Sequence, residues 1–293
     1  KPMKKVYFIW IWWIWISGIA RYYLQNWYEV YWSDSHNSVL VETLRNEWMN
    51  IIIWEDNSRI DNSFEKIIYT EAVPKTQSEL KKASDLNLKI LTYPESLAEI
   101  ANSKKLVAIS WTHGKSTTTS LTSLVLKDSK FWLNALIWSI LKEFSWKNVY
   151  FSNSENFVLE ACEYKRSFLK YHPFIGVITN IDLDHLDYYK DLEDYISAFE
   201  EFINNIIVWG YAIIDWNCSN SMSLFWIRND IHYVVVKDNS FEIFYGNKSI
   251  LKENIKHFNM QVPGPHIYFD WELAYTVWRI FDLNENEIIS SLE

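Results

Sequence analysis

Short apolar runs alternate with mixed, helix-spaced stretches along most of this chain. The pattern predicts strands at Lys5–Ile9, Tyr28–Trp32, Lys66–Tyr69, Leu106–Ser110, Asn156–Ala161, Phe174–Thr179 and Tyr211–Ile214. It predicts helices ending near Gln25 and Lys127, and others over Val39–Asn46, Pro94–Ile100, Ile267–Phe281 and Glu285–Leu292. Strand and helix in turn is the signature of parallel α/β architecture. At 293 residues the chain is long enough for two domains. The boundary falls near Ala101–Lys105, after the helix at Pro94–Ile100.

The opening residues admit two readings. Lys1, Lys4 and Lys5 followed by an apolar run from Val6 to Ala20 have the form of a secretory leader. That run is short for a membrane span, which needs about 20 residues. Composition changes the picture. The chain has 6 Gly and 17 Trp, whereas ordinary usage of roughly 7% glycine gives about 20. Trp stands where loop chemistry asks for Gly. Trp27 and Trp48 follow helices, where a left-handed cap is common. Trp216 follows a strand at a turn, and Trp111 opens a phosphate-type loop. Glycine at these positions would follow if the gene reads UGA as glycine, and its codons test this directly.

With Trp read as Gly, residues 6–20 become strand, G-x-G-x-x-G turn and helix, with the turn glycines at Trp10, Trp12 and Trp15. Asp34 ends the next strand about 20 residues further on, the spacing of a nucleotide-binding βαβ unit with an acidic residue near a ribose.

A second loop lies between the apolar strand Leu106–Ser110 and a helix: Trp111, Thr112, His113, Gly114, Lys115, Ser116, Thr117. Strand, loop and helix in that order support a shortened phosphate loop. Its amides would cradle β- and γ-phosphates, Lys115 would neutralise their charge and Ser116 would reach Mg²⁺. Two further strands end in acidic and imidazole groups: Glu160 with Cys162 and Glu163, and Asn180, Asp182, Asp184, His185 and Asp187. Ligands bind at the carboxyl ends of strands in open α/β sheets, and hard oxygen donors there suit Mg²⁺. A net charge of -9 gives no basic footprint for nucleic acid. Two cysteines, Cys162 and Cys218, make no disulfide framework and fit a reducing cytoplasm.

WTHGKSTTTS, read with Gly at 111, resembles the ATP-binding loop of the Mur ligases. Residues 10–20 resemble the UDP-binding loop of the branch that adds L-alanine to UDP-N-acetylmuramate. LEACEYKRSFL and TNIDLDHLDYY resemble further family motifs, and the likeness runs along essentially the whole chain. It implies an N-terminal Rossmann-like parallel-sheet domain (residues 1–103) followed by a P-loop α/β ATPase domain (104–293). The implied cofactors are ATP and Mg²⁺. The implied substrates are UDP-N-acetylmuramate and L-alanine, with no nucleic-acid or membrane partner. Lys115, Glu160 and His185 would be catalytic, and Ser116, Glu160 and His185 would hold magnesium. Residues 111–117, His266 and Asp270 would meet ATP. Trp10, Trp12, Trp13, Trp15, Ser17, Asp34 and Thr70 would meet the UDP substrate. Glu163 and Arg166 would face the muramyl group.

The segment around Pro263–His266 resembles the family's adenine-side motif, but Ile267 and Asp270 stand where the family has Asn, which puts the base contacts in doubt. The family also has a third, amino-acid-binding domain with no counterpart in these residues, so residues 1–293 are expected to bind nucleotide without turnover. Three other readings compete: a ligase adding a pre-formed peptide to the same sugar nucleotide, a secreted Trp-rich sugar-binding module, and an inactive ligase paralogue with genuine tryptophans.

Overall fold

The computed structural model describes residues 3–10, 14–110, 112, 114–178, 180–256 and 265–291, with the side chains of 14, 15, 265, 266, 289 and 290 excepted. Trp12, Trp13, Trp111 and His113 lie outside the described residues, as do the side chains of Trp15 and His266. The chain divides into two compact units, Lys1–Ile100 and Ala101–Glu293, three residues earlier than the sequence-based boundary.

The first unit runs β1 (Lys4–Ile9), α1 (Ile14–Gln25), β2 (Tyr28–Asp34), α2 (Val39–Asn46), β3 (Asn50–Ile53), β4 (Phe64–Tyr69), α3 (Ser78–Asp85), β5 (Lys89–Thr92) and α4 (Tyr93–Ala101). Its sheet has the order β3-β2-β1-β4-β5, with every pairing parallel. Val6, Tyr7, Phe8 and Ile9 are completely buried because β1 is the central strand, covered on both faces. Among the described residues of the apolar opening, Val6–Ile9 are core strand, and Ile16, Ile19 and Ala20 are buried in α1. Strand order reverses beside β1, so the crevice at its carboxyl end is the topological switch point where ligands bind in such sheets. Trp27 and Trp48 take the left-handed backbone expected of helix caps, with φ of 63° and 70°. Trp216 does not; its N–H donates to the Val236 carbonyl at 3.1 Å.

One buried carboxylate ties the carboxyl ends of β1 and β2 to α3. Glu79 is fully buried. It accepts from Tyr7 Oη and Ser33 Oγ, both at 2.7 Å, from Gln77 Nε2 at 2.9 Å and from the Asp56 amide at 3.2 Å. Four donors replace the water that a buried carboxylate loses. Ser33 in turn accepts the amide of Trp10 on its carbonyl, so this network fixes where the chain leaves β1.

The second unit runs β6 (Lys105–Ser110), α5 (Lys115–Asp128), β7 (Asn134–Leu141), β8 (Lys147–Tyr150), β9 (Asn156–Glu160), β10 (Ile175–Ile178), α6 (Leu192–Asn204), β11 (Tyr211–Asp215), α7 (Ser219–Met222), β12 (His232–Lys237), β13 (Ser240–Tyr245), β14 (Lys248–Asn254), α8 (Pro265–Ile280) and α9 (Glu285–Ser290). The sheet order is β14-β13-β12-β11-β10-β6-β9-β7-β8. The six strands from β12 to β7 run parallel, and β8, β13 and β14 add antiparallel edges. Val125 and Leu126 of α5 share one core with Leu273, Ala274, Val277 and Trp278 of α8 and with Val107, Val158, Val177 and Ile213 of the central strands. That core holds the α5 N-terminus at the carboxyl ends of β6 and β9. Among the described residues no helix is long and apolar enough to cross a membrane.

Glu79→Ala leaves Tyr7 and Ser33 as buried donors without partners. It is expected to lower the unfolding free energy of the first unit by about 3 kcal/mol or more, measured by urea denaturation. A loss below about 0.5 kcal/mol would show that the network is not what fixes these strand ends.

Candidate functional site

The site of the second unit is assembled at the first turn of α5. Gly114 caps the helix with φ 88° and ψ 1°, a left-handed geometry that glycine reaches without a Cβ penalty. Its carbonyl accepts the amides of Thr117 and Thr118 at 3.0 and 3.2 Å. This turn presents Lys115 and Ser116 to two buried carboxylates. Lys115 Nζ lies 2.9 and 2.8 Å from the two oxygens of Glu163, whose side chain is wholly buried. Ser116 Oγ donates to Glu160 at 2.9 and 3.1 Å, and the Trp138 amide donates to the same carboxylate at 2.8 Å. Burial pushes the Glu160 carboxyl above its ordinary range, while these two hydrogen bonds and Lys115 pull it back.

The loop after β10 closes the other side. Thr112 Oγ1 donates to the Asp182 carbonyl at 2.9 Å and accepts the Asp182 amide at 3.2 Å, stapling the phosphate-type loop to the 180–187 loop. His185 has φ 55°, a cost that persists where surrounding structure holds the residue. Its Nε2 lies 3.3 Å from Glu163 and 3.9 Å from Asp184. The Tyr164 ring packs on the imidazole with centroids 4.8 Å apart, and its hydroxyl donates to Asp187 at 2.7 Å. Ligand atoms of Glu163, Asp184 and His185 fall within 4.8 Å of one another.

Lys115, Ser116, Glu160 and His185 thus gather in one neighbourhood, as the sequence suggested. Two features differ. Glu163, read as facing substrate, is instead the carboxylate that bridges Lys115 and His185. Arg166 turns to α6, pairing with Asp194 at 2.7 Å and Ser197 at 2.9 Å as well as Glu201, so its charge is committed to packing. The sequence signal for Glu163 was its place three residues past Glu160, but only the backbone path after β9 aims it at Lys115. Burial, with the Glu163 charge beside it, pushes the Cys162 thiol up to about 12, which makes it an inert neighbour.

In the first unit, Trp10 leaves β1 with φ 58°. With Ser35, His36 and Ser38 it lines a cleft of about 520 Å³, within the usual range for small-ligand sites. Asp34 is buried at the end of β2 and accepts the His36 amide at 3.2 Å. Thr70 is buried just past β4, and its hydroxyl has no hydrogen-bond partner among the described residues. Ser17 lies buried in α1 with its hydroxyl accepting from Arg21 at 3.3 Å.

Asp270, in α8, accepts from Thr118 Oγ1 at 3.0 Å and so couples α8 to the phosphate-loop helix. Burial pushes its carboxyl up to about 7, against a small lowering by Thr118. A pKa raised in the folded state stabilises the fold fully below the unfolded value and is lost as pH rises through about 7. Asp270→Asn keeps the acceptor for Thr118 and removes the ionisation. It is expected to exceed the parent in stability at pH 8 by up to about 4 kcal/mol, with the gap closing near pH 4. Urea unfolding at both pH values reads this out, and equal stabilities at pH 8 would refute it.

Residues 109–273 match the Mur ligase middle domain, and residues 5–105 match the Mur ligase family, catalytic domain. UDP-N-acetylmuramate–L-alanine ligases of Clostridium kluyveri and Clostridium botulinum are each 34% identical to this chain over 99% of its length. The chain spans 66% of those relatives. Among solved structures, the UDP-N-acetylmuramate-alanine ligase of Thermotoga maritima superposes with a TM-score of 0.78 at 21% identity, covering 99% of this chain and 68% of that one. A UDP-N-acetylmuramate:L-alanyl-gamma-D-glutamyl-meso-diaminopimelate ligase from Neisseria meningitides gives 0.79 at 17%, covering 99% and 98%. Strand-loop-helix geometry around Lys115, the two carboxylates beside it and sequence matches spanning both units agree: the chain belongs to the Mur ligase family.

Proposed function

We propose that this protein joins L-alanine to UDP-N-acetylmuramate at the expense of ATP. The observation that carries this reading is the 34% identity along nearly the whole chain to enzymes named for that reaction. The geometry at α5 supports it. The muramyl carboxylate oxygen attacks the γ-phosphorus and ADP departs, giving an acyl phosphate. The amine of L-alanine then attacks the acyl carbon, and inorganic phosphate leaves with its electron pair.

Phosphoryl transfer asks a protein mainly for positioning and charge neutralisation. Lys115 brings a positive charge to the phosphates. Gly114 sets the helix start so that loop amides face the anion. Thr112 locks the 180–187 loop against that turn, which keeps His185 and Asp184 beside Glu163. Glu160 orients the Ser116 hydroxyl. The hydroxyl and carboxylate oxygens fit a magnesium ion: Ser116 and Glu160 would hold it, while Glu163 and Asp184, grouped with His185, offer further carboxylate oxygens. Bound magnesium would offset the negative charge of the phosphates. In the first unit, the switch-point cleft at Trp10 and the unpaired Thr70 hydroxyl are the places for the UDP moiety.

Calorimetry on this chain is expected to show separate binding of magnesium-ATP and of UDP-N-acetylmuramate. Lys115→Met should weaken ATP about 10- to 100-fold, the worth of one charge-assisted hydrogen bond, and leave the sugar nucleotide unaffected. In the protein isolated from its native cells, phosphate release should require both UDP-N-acetylmuramate and L-alanine. Release supported by a tripeptide in place of L-alanine would favour the peptide-adding reaction. A chain that ignores both nucleotides would overturn the assignment.

A further inference from the structure

We infer that eight of the tryptophan positions (Trp10, Trp27, Trp48, Trp54, Trp132, Trp146, Trp209 and Trp226) are occupied by glycine in the protein the cell makes, while Trp271 and Trp278 are tryptophan. The split rests on backbone geometry. All eight have φ between 42° and 76°. Among the described residues sixteen positions other than glycine have positive φ, and these eight are half of them. Left-handed backbone is uncommon for any residue with a Cβ and is a true outlier for a bulky one. A Cβ strains the backbone at each such position, and glycine carries no such strain.

Five of the side chains return little: Trp27 is 81% exposed and Trp48 88%, and Trp54, Trp132 and Trp146 are all more than half exposed. Trp209 stacks on Tyr245, Trp226 meets Phe225, Tyr233 and Phe244, and Trp10 packs against the core of the first unit, so for these three the backbone alone carries the inference. Indoles normally contribute by burying their large apolar area, and at the five exposed turns that area faces water. Each of these positions is instead a turn of the kind glycine serves. Trp27 and Trp48 end α1 and α2, their backbone amides donating hydrogen bonds to the carbonyls of Leu24 and Arg45. Trp54 follows β3, Trp132 precedes β7, Trp146 sits between β7 and β8, and Trp209 precedes β11.

Trp271 and Trp278 behave in the opposite way. Both lie in α8 with ordinary backbone and are buried to within 2%. Their indole N–H groups donate to the carbonyls of Lys256 at 3.1 Å and Thr122 at 3.2 Å. Their rings meet edge to face at 5.1 Å. One residue type thus occupies two incompatible classes of environment. Two decodings explain this: UGA read as glycine at the eight turns, and UGG read as tryptophan at 271 and 278. The inference does not depend on the proposed reaction, although one of its positions, 10, forms the crevice turn where an indole would crowd a diphosphate.

Peptide mass spectrometry of the protein isolated from its native cells decides the matter. Peptides spanning 10, 27, 48, 54, 132, 146, 209 and 226 are expected at glycine masses, and the peptide holding 271 and 278 at the mass for two tryptophans. Tryptophan masses at the turns would overturn the inference, as would glycine at 271 and 278 for its second half. A recombinant comparison gives an independent readout. A chain with glycine at all eight positions should unfold at higher urea than the chain with tryptophan. Equal midpoints, or a lower one for the glycine chain, would count against it. Neither measurement involves nucleotide, so ligase activity can fail without touching this result.

Discussion

Two buried carboxylates face one ammonium and one hydroxyl at the first turn of α5. Glu160 takes Ser116, Glu163 takes Lys115, and the pairs lie close enough for each carboxylate to feel the other. Taking such charges out of water costs several kcal/mol per ion unless each is paired and hydrogen-bonded. The arrangement survives because the strands deliver the carboxylates to fixed points. β9 ends in Glu160, and the short path after it carries Glu163 underneath Lys115. The rest of the second unit holds those points still. The central strands are parallel and covered, α5 and α8 share a core, and Thr112 clips the 180–187 loop to the phosphate turn.

The first unit solves a similar problem with one carboxylate, to which no cation is hydrogen-bonded among the described residues. Glu79 satisfies four donors from four different segments and thereby sets the register of β1 and β2 at their carboxyl ends. That is where the sheet order reverses and the cleft opens. In both units a buried acidic group holds strands in place beside a candidate crevice.

Asp270 and Glu272 show the other outcome of burial. Burial is the largest influence on both and pushes both carboxyls up to about 7. A protonated Asp270 is close in shape and polarity to the asparagine that family members carry at this motif position. The departure from the motif is therefore smaller in chemistry than in letters.

Much of the architecture was legible in the residues. Short apolar runs such as LVAI and FVL read as buried strands, and Gly-Lys-Ser after one of them marked the place of the phosphate loop. The chain order of strand, loop and helix is local, and local pattern carries it. The edge strands β8, β13 and β14 left no comparable mark, because half-exposed strands lack a continuous apolar run; β3, β5, β7, β12, α3, α6 and α7 are also absent from the predicted elements, although β7 and β12 carry buried apolar runs. The candidate acids were also visible as residue types at strand ends. Their partners were not. Which carboxylate meets Lys115, that Arg166 turns to α6, and that Asp270 reaches Thr118 depend on side chains far apart in sequence. Composition alone hinted that Trp stood for Gly, but φ sorted the positions, since backbone handedness is a property of the folded turn and not of the letter. The sequence determined which segments are strands and which bear chemistry; the tertiary structure decided which charges meet, because pairing is set by distance in space.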